Sequence, residues 1–287
     1  MSTTNSAKKK LIYKDDRLDV DRIDQYSLSF FIGGSAIQLT VFDEKKRRLL
    51  LYEHHHITDQ SIVEVLQEIH KEHILISAGF WQSVRVNIDS QQFSVVPSDL
   101  FSFEHQFDYI KLNSPTDPNK DTYRSVTYDP FGIAFVFAIK KDIVKWFSDK
   151  YFNTDVRHSH NGLNFLSMVH KQLDKKNSTG VFINLSQNEM QIAGISNGKL
   201  EIYNQLTIGN PEHLVKFVLL TIKQFSELGQ SSKITLWAEK ERMVEYKTVF
   251  NKYFKNFKIG DRPKIKLSTQ FSDLKSYEIA DVLSVYA

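Results

Sequence analysis

Two stretches of this chain run through the same order of strand-like and helix-like patterns, and that repetition limits the folds open to it. From Tyr26, the runs YSLSFFIG, SAIQLTVF and RRLLLYEH read as three successive strands. A polar cap and the run SIVEVLQEIHKEH follow, with Ile62, Val63, Leu66 and Ile69 on one helical face. VRVNI then alternates with a period of two. From Gly180 the pattern returns as GVFINLS, EMQIAGIS and KLEIYNQL, with Asn197-Gly198 as a type I′ hairpin signal. Next come a helical run from Pro211 to Leu228, the apolar run KITLWA, a helical run from Lys240 to about Phe254, and KIKLS as a final strand candidate.

Placing Ile37-Gln38-Leu39 over Met190-Gln191-Ile192 gives an offset of 190 − 37 = 153. It also sets Ile32 over Leu185 and, less convincingly, Val41 over Gly194. A period this long is a duplicated domain and not a solenoid repeat. The expectation is a two-lobed α/β chain, each lobe a mixed sheet of βββαβαβ type flanked by helices. Residues 1–25 read as a flexible tail, 26–178 as the first lobe and 179–287 as the second. Residues 111–122, KLNSPTDPNKDT, have the composition of a loop or hinge. Beyond it, YRSVTY and IAFVFAI flank DPFG as a hairpin. PSDLFSF reads as a proline-started helix, and KKDIVKWFSDKYF and NGLNFLSMVHKQL as helices on either side of DVRHS.

Composition removes whole classes of chemistry. The chain has no cysteine, so disulfides, thiolate metal sites and thiol nucleophiles are excluded. The 37 basic and 34 acidic residues leave a net charge of +3, with no overall bias toward nucleic acid. The opening MSTTNSAKKK has no apolar segment behind its lysines, and the densest apolar run carries Lys216 and Lys223. Neither a secretory signal nor a membrane span is expected, and the chain reads as cytoplasmic.

This order of elements, present twice, resembles the actin-like ATPase superfamily, an RNase H-like fold shared by actin, sugar kinases and actin-like proteins of pilus assembly. The chain is also similar to a family of uncharacterised bacterial proteins with that fold. The resemblance implies a phosphate-binding turn after the first strand of each lobe, carrying an aspartate and a glycine. Glycine lets the backbone approach a phosphate, and the carboxylate holds magnesium or its water. Here the first turn reads Phe31-Ile32-Gly33-Gly34-Ser35, with phenylalanine in the aspartate's place. The second reads Asn184-Leu185-Ser186-Gln187, and 184 − 31 = 153 sets Asn184 over Phe31. An amide carries no charge and holds magnesium poorly. The resemblance further implies a Gly-Gly turn against adenosine, where this chain has Trp237-Ala238-Glu239. A tryptophan there is expected to fill the volume adenine would take.

Gly33, Gly34, Asn184, Ser186 and Gln187 are thus the candidate cofactor-binding residues, as degenerate phosphate turns. No catalytic residue, metal ligand or cofactor is expected. His54-His55-His56 with His70 and His73 reads as a polar strand end and a solvated helix, because strand neighbours face opposite ways. Ser159 between His158 and His160 lacks a nucleophile elbow. In FNKYFKNFK, the residues Phe250, Tyr253, Phe254 and Phe257 read as a packed face. The functional expectation is a non-catalytic scaffold acting through an unidentified protein partner, with the C-terminal YEIADVLSVYA segment packed on its own lobe. The other readings are a nucleotide-binding actin-like ATPase or switch with unusual contacts in the cleft between the lobes, and a nucleic-acid binder using its basic and aromatic residues.

Overall fold

The computed structural model describes residues 11–173, 178–186, 189–208, 210–224, 233–238, 240–261, 263–274 and 282–286. The first sheet is built on an antiparallel meander of β2 (Ser27–Ile32), β3 (Ala36–Asp43) and β4 (Arg48–His56). Every residue of β2 is buried, as expected of a central strand covered on both faces. Helix α1 (Ile62–Glu72) follows. Its capping box pairs the Ser61 hydroxyl with the Glu64 N–H and the Glu64 carboxylate with the Ser61 N–H at 2.7 Å, which fixes where the helix starts. Val65, Leu66 and Ile69 form its buried stripe. After the short α2 (Ile74–Ser77), β5 (Ser83–Ile88) returns parallel to β2, and β9 (Val156–His160) lies parallel to β5.

The second sheet repeats this plan. β10 (Gly180–Ser186), β11 (Glu189–Ser196) and β12 (Lys199–Thr207) form the meander, α6 (Pro211–Gln224) crosses over, and β13 (Ile234–Trp237) runs parallel to β10. α7 (Lys240–Tyr253) leads to β14 (Phe257–Ile259), parallel to β13. The strand orders are β4-β3-β2-β5-β9 and β12-β11-β10-β13-β14, which is one topology twice. The offset read from the sequence survives at the level of single residues. Phe31 lies opposite Gln38 and Asn184 opposite Gln191; each second strand also carries a bulge, between Val41 and Phe42 and between Gly194 and Ile195. Since 194 − 41 = 153, the weak match of Val41 with Gly194 falls on a shared irregularity that bends both meanders alike.

Between β5 and β9 the first unit holds a three-stranded antiparallel sheet, in the order β6 (Phe93–Pro97), β8 (Ile133–Lys140), β7 (Asp121–Tyr128), with α3 (Gln106–Lys111) and α4 (Lys141–Lys150). The DPFG hairpin is present, turning through Gly132 at φ +60°. Helix α5 (Asn161–Gln172) follows β9 and lies between the large sheets. One apolar cluster runs from Leu28, Phe30 and Val86 through Phe165 and Leu166 to Phe182, Ile195 and Trp237. It joins the two units through a shared core.

Several expectations are corrected. Residues 11–25 are not a tail: β1 (Leu11–Lys14) pairs antiparallel with β4 at the sheet edge, and Val20–Gln25 form 3-10 turns. Pro97 ends β6, and 3-10 turns precede α3, so PSDLFSF does not start a helix. The 111–122 loop is fastened by the Asp121 carboxylate, which accepts from Lys140 Nζ at 2.6 Å, the Asp117 N–H at 2.9 Å and the Thr116 hydroxyl at 3.0 Å. In KIKLS only Lys266 bridges, to Arg48, and the last strand is Phe257–Ile259. The part of Pro211–Leu228 beyond Gln224 lies outside the described residues.

Of the C-terminal segment YEIADVLSVYA, residues 282–286 pack on the first sheet, not on their own lobe, and residues 277–281 and 287 lie outside the described residues. Phe271, Leu274, Val282, Leu283 and Tyr286 form one cluster with Phe31, Phe42, Leu49 and Tyr52. The Tyr286 ring stacks on Phe42 at 3.8 Å, and its hydroxyl lies 2.8 Å from both Ser29 Oγ and Thr40 Oγ1. Arg47 donates to the Tyr286 carbonyl at 3.1 Å.

Candidate functional site

Two hairpin turns, at the ends of β2 and β10, lie where the resemblance places phosphate binding. In the first, the Gly33 N–H donates to the Ala36 carbonyl at 3.0 Å and closes the hairpin. Neither Gly33 nor Gly34 has a positive φ, and a methyl group on either would meet nothing closer than 3.8 Å. The turn therefore does not demand glycine. Phe31, in the aspartate's place, is 8% exposed and packed in the cluster under the C-terminal segment. In the second turn Asn184 is buried, and its amide donates to Gln191 Oε1 at 3.2 Å. Ser186 pairs with Glu189 along the ladder, and Gln187 lies outside the described residues.

Trp237 sits beside Asn184 in the parallel register. It is 3% exposed, its indole N–H donates to the Asp261 carbonyl at 2.8 Å, and the rings of Phe165 and Phe182 lie 6.1 and 6.3 Å away. The backbone of Gly260 lies so close that a methyl group there would overlap the indole. Trp237 is fixed in the core shared by the two sheets, with its single polar atom satisfied.

The remainder of this shared core is aromatic. Tyr203, from β12, sits among Phe93, Phe135 and Phe165 with ring centroids 5.4, 5.7 and 6.4 Å away. Gly162, in the first turn of α5, faces it: a methyl group there would meet the Tyr203 hydroxyl and lie 2.7 and 2.9 Å from the Cζ atoms of Tyr203 and Phe135. Glycine is needed here for close approach rather than for backbone freedom.

Above this layer, residues of both units meet in a polar bridge. Gln205 Nε2 donates to Asp89 Oδ1 at 2.7 Å and to Glu189 Oε2 at 2.8 Å. Burial and the charges of Asp89 and Glu189 push the Tyr203 hydroxyl well above the ordinary tyrosine range, so it stays protonated. Its hydroxyl donates to Gln205 Oε1 at 3.4 Å, a contact that ties the bridge to the aromatic layer. This bridge was missed in the sequence because Asp89 and Gln205 lie 116 residues apart and belong to no motif.

The histidines have partners of their own. His55 and His73 both contact the buried Glu53 carboxylate, at 2.8 and 2.9 Å, while His54 and His56 face each other at 4.4 Å. Among the described residues no group of three or more His, Asp or Glu side chains is placed to hold a metal ion. Ser159 donates to Asn164 Oδ1 at 3.3 Å, not to a neighbouring histidine, because strand alternation turns His158 and His160 the other way.

His160 is fully buried; its Nε2–H donates to the Ser90 carbonyl at 2.9 Å and its Nδ1 accepts from the Gly162 N–H at 3.0 Å. Desolvation pushes its pKa from 6.5 down to about 4, so the folded state holds the neutral ring. The folded value lies below the unfolded one, so this contribution is complete above pH 6.5 and is lost as pH falls toward 4. A shift of that size corresponds to about 3 kcal/mol. His54 and His158 shift the same way. His160→Gln is therefore expected to flatten the fall in stability across this window, as read from urea midpoints at successive pH values. An unchanged slope would mean that His160 is protonated in the fold.

With this geometry in view, the chain can be set beside known proteins. The model of the family described as "Protein of unknown function (DUF3822)" matches residues 15–257. No curated protein sequence matches the chain. A Bacteroides thetaiotaomicron protein with actin-like ATPase fold and unknown function superposes with a TM-score of 0.76 at 17% identity, over 93% of this chain and 98% of that one. A chain of the PilM–PilN type IV pilus biogenesis complex superposes with a TM-score of 0.53 at 11% identity, over 91% and 96%. The fold is that of the actin-like ATPases, and at these identities the likeness speaks for the fold alone. Among the described residues no helix is long and apolar enough to cross a membrane.

Proposed function

We propose, for a chain that belongs to the DUF3822 family of proteins of unknown function, the role of a non-catalytic actin-like scaffold that works through contacts with a protein partner and not through a nucleotide. The observation that carries this reading is the shared core. Trp237, Tyr203, Phe165, Phe135 and Phe93 pack against one another across the two units, where an actin-like nucleotide site would need space. The turns support it. Phe31 is covered by the chain's own C-terminal segment, and the Asn184 amide is engaged with Gln191. No charged group stands at either position to hold magnesium.

The carboxylates nearest to this region, Asp89 and Glu189, share the amide of Gln205 and so hold the units together. The acid–base candidates are equally occupied, with Tyr203 held protonated and His160 held neutral by hydrogen bonds on both nitrogens. In a phosphate-release assay with magnesium and ATP or GTP, the protein is expected to give no turnover above buffer. Turnover that Asn184→Ala abolishes would overturn the reading and restore the nucleotide-dependent switch.

A further inference from the structure

The duplication supplies an internal control for the surface. Helices α1 and α6 hold equivalent places, each following the third strand of its meander. The outward groove along α1, about 300 Å³, is lined by Gln60, Glu64, Gln67, Glu68 and Lys71. The groove along α6 is similar in size, about 330 Å³, but different in chemistry. Leu219, Leu220 and Tyr253 form its floor and wall, and Lys216 and Lys223 stand on the stripe with them, with Glu212 at one end. The fold does not require apolar residues there, since α1 does without them.

Leu219, Leu220 and Tyr253 are 38, 51 and 57% exposed. Tyr253 was expected in the packed face of FNKYFKNFK; the structure buries Phe250 and Phe254 and leaves Tyr253 out, over the groove. Among the described residues neither Lys216 nor Lys223 has an ion-pair partner; the acidic Glu212 lies a turn before Lys216. Glu212 to Lys223 spans roughly 16 Å of helix, room for about three turns of a second helix alongside.

We infer that this groove docks an amphipathic helical segment of a partner protein, with an apolar face for Leu219, Leu220 and Tyr253 and flanking carboxylates for Lys216 and Lys223. The charges point to an acidic partner, and the apolar floor to a helix read at i, i+3 and i+4. The acidic face of α1 on a second copy does not fit, because it offers Gln60, Glu64, Gln67 and Glu68 and no apolar side chain to the leucines. The inference rests on the interaction-protein reading above, but it is tested without nucleotide, so failure here leaves the phosphate-release result standing on its own.

The test is a fluorescence anisotropy titration of the full chain with two labelled peptides about four turns long, sharing one leucine face and flanked either by glutamates or by lysines. The wild type is expected to prefer the glutamate peptide by roughly tenfold or more. The K216E/K223E double variant reverses that preference, and Leu220→Asp, at an exposed position, abolishes binding while keeping the melting midpoint. Equal binding of both peptides, binding of neither, or an unchanged preference in K216E/K223E would overturn the inference. So would a dimer in sedimentation, or adhesion to anionic phospholipid vesicles, that Leu220→Asp removes, since the groove would then serve a second copy or a membrane.

Discussion

Trp237→Ala is expected to lower the unfolding free energy by about 3–5 kcal/mol, the range found when a large buried aromatic is cut back to a methyl group. The size follows from the surroundings. The indole packs between Phe165 and Phe182, lies against the Gly260 backbone and gives its N–H to the Asp261 carbonyl. Removing it leaves a cavity in the core shared by two sheets, and the Asp261 carbonyl loses its donor. Neither side can collapse freely, because Phe165 is held by α5 and Phe182 by β10. Urea denaturation would show a lower midpoint with the same dependence on denaturant. A loss under about 1 kcal/mol would mean that the indole is loosely held and the space around it is open.

The second large effect lies at the other end of the packing scheme. Tyr286→Ala should cost about 3–5 kcal/mol, and Tyr286→Phe about 1–3 kcal/mol. The alanine variant loses the stack on Phe42 and empties the slot beside Leu49 and Leu283. The phenylalanine variant keeps the ring but deprives Ser29 and Thr40, both fully buried, of their shared hydroxyl. Arg85 adds to the hold, with its guanidinium 5.6 Å from the ring centroid. The pair of variants separates packing from hydrogen bonding. Equal midpoints for the two would mean that the ring contributes nothing beyond its hydroxyl.

These two residues show what could and could not be read from the sequence. Trp237 was legible as a residue to watch, because it follows the short apolar run KITL where the resemblance implies a Gly-Gly turn. The duplicated topology was legible for a different reason: hydrophobic periodicity is local, and the offset of 153 tied two local patterns together down to Phe31 over Asn184. Tyr286 was not legible. Its hydroxyl partners lie 246 and 257 residues earlier, and an amphipathic tail packs as well on one sheet as on another. Strand β1 was missed because four residues at a sheet edge make too short a pattern to stand out against a polar N-terminus.

The candidate site was half legible. That Phe31 and Asn184 stand where the resemblance implies aspartates is visible in the letters themselves. The aromatic layer proposed to take the nucleotide's space is not, since Tyr203, Gly162, Phe135 and Phe93 come from four separate elements and converge only in the fold. Gly162 is the instructive case. In the sequence it is one letter of the helical run NGLNFLSMVHKQL, with nothing to mark it, yet a tyrosine from the other unit rests against it and leaves no room for a Cβ.

The claim that the chain's own side chains take the place of a nucleotide is tested most directly by a calorimetric titration of magnesium ATP into the wild-type protein. The account predicts no heat beyond dilution up to millimolar nucleotide. Saturable binding with a dissociation constant below about 1 mM, equivalent to roughly 4 kcal/mol of binding free energy, would contradict it.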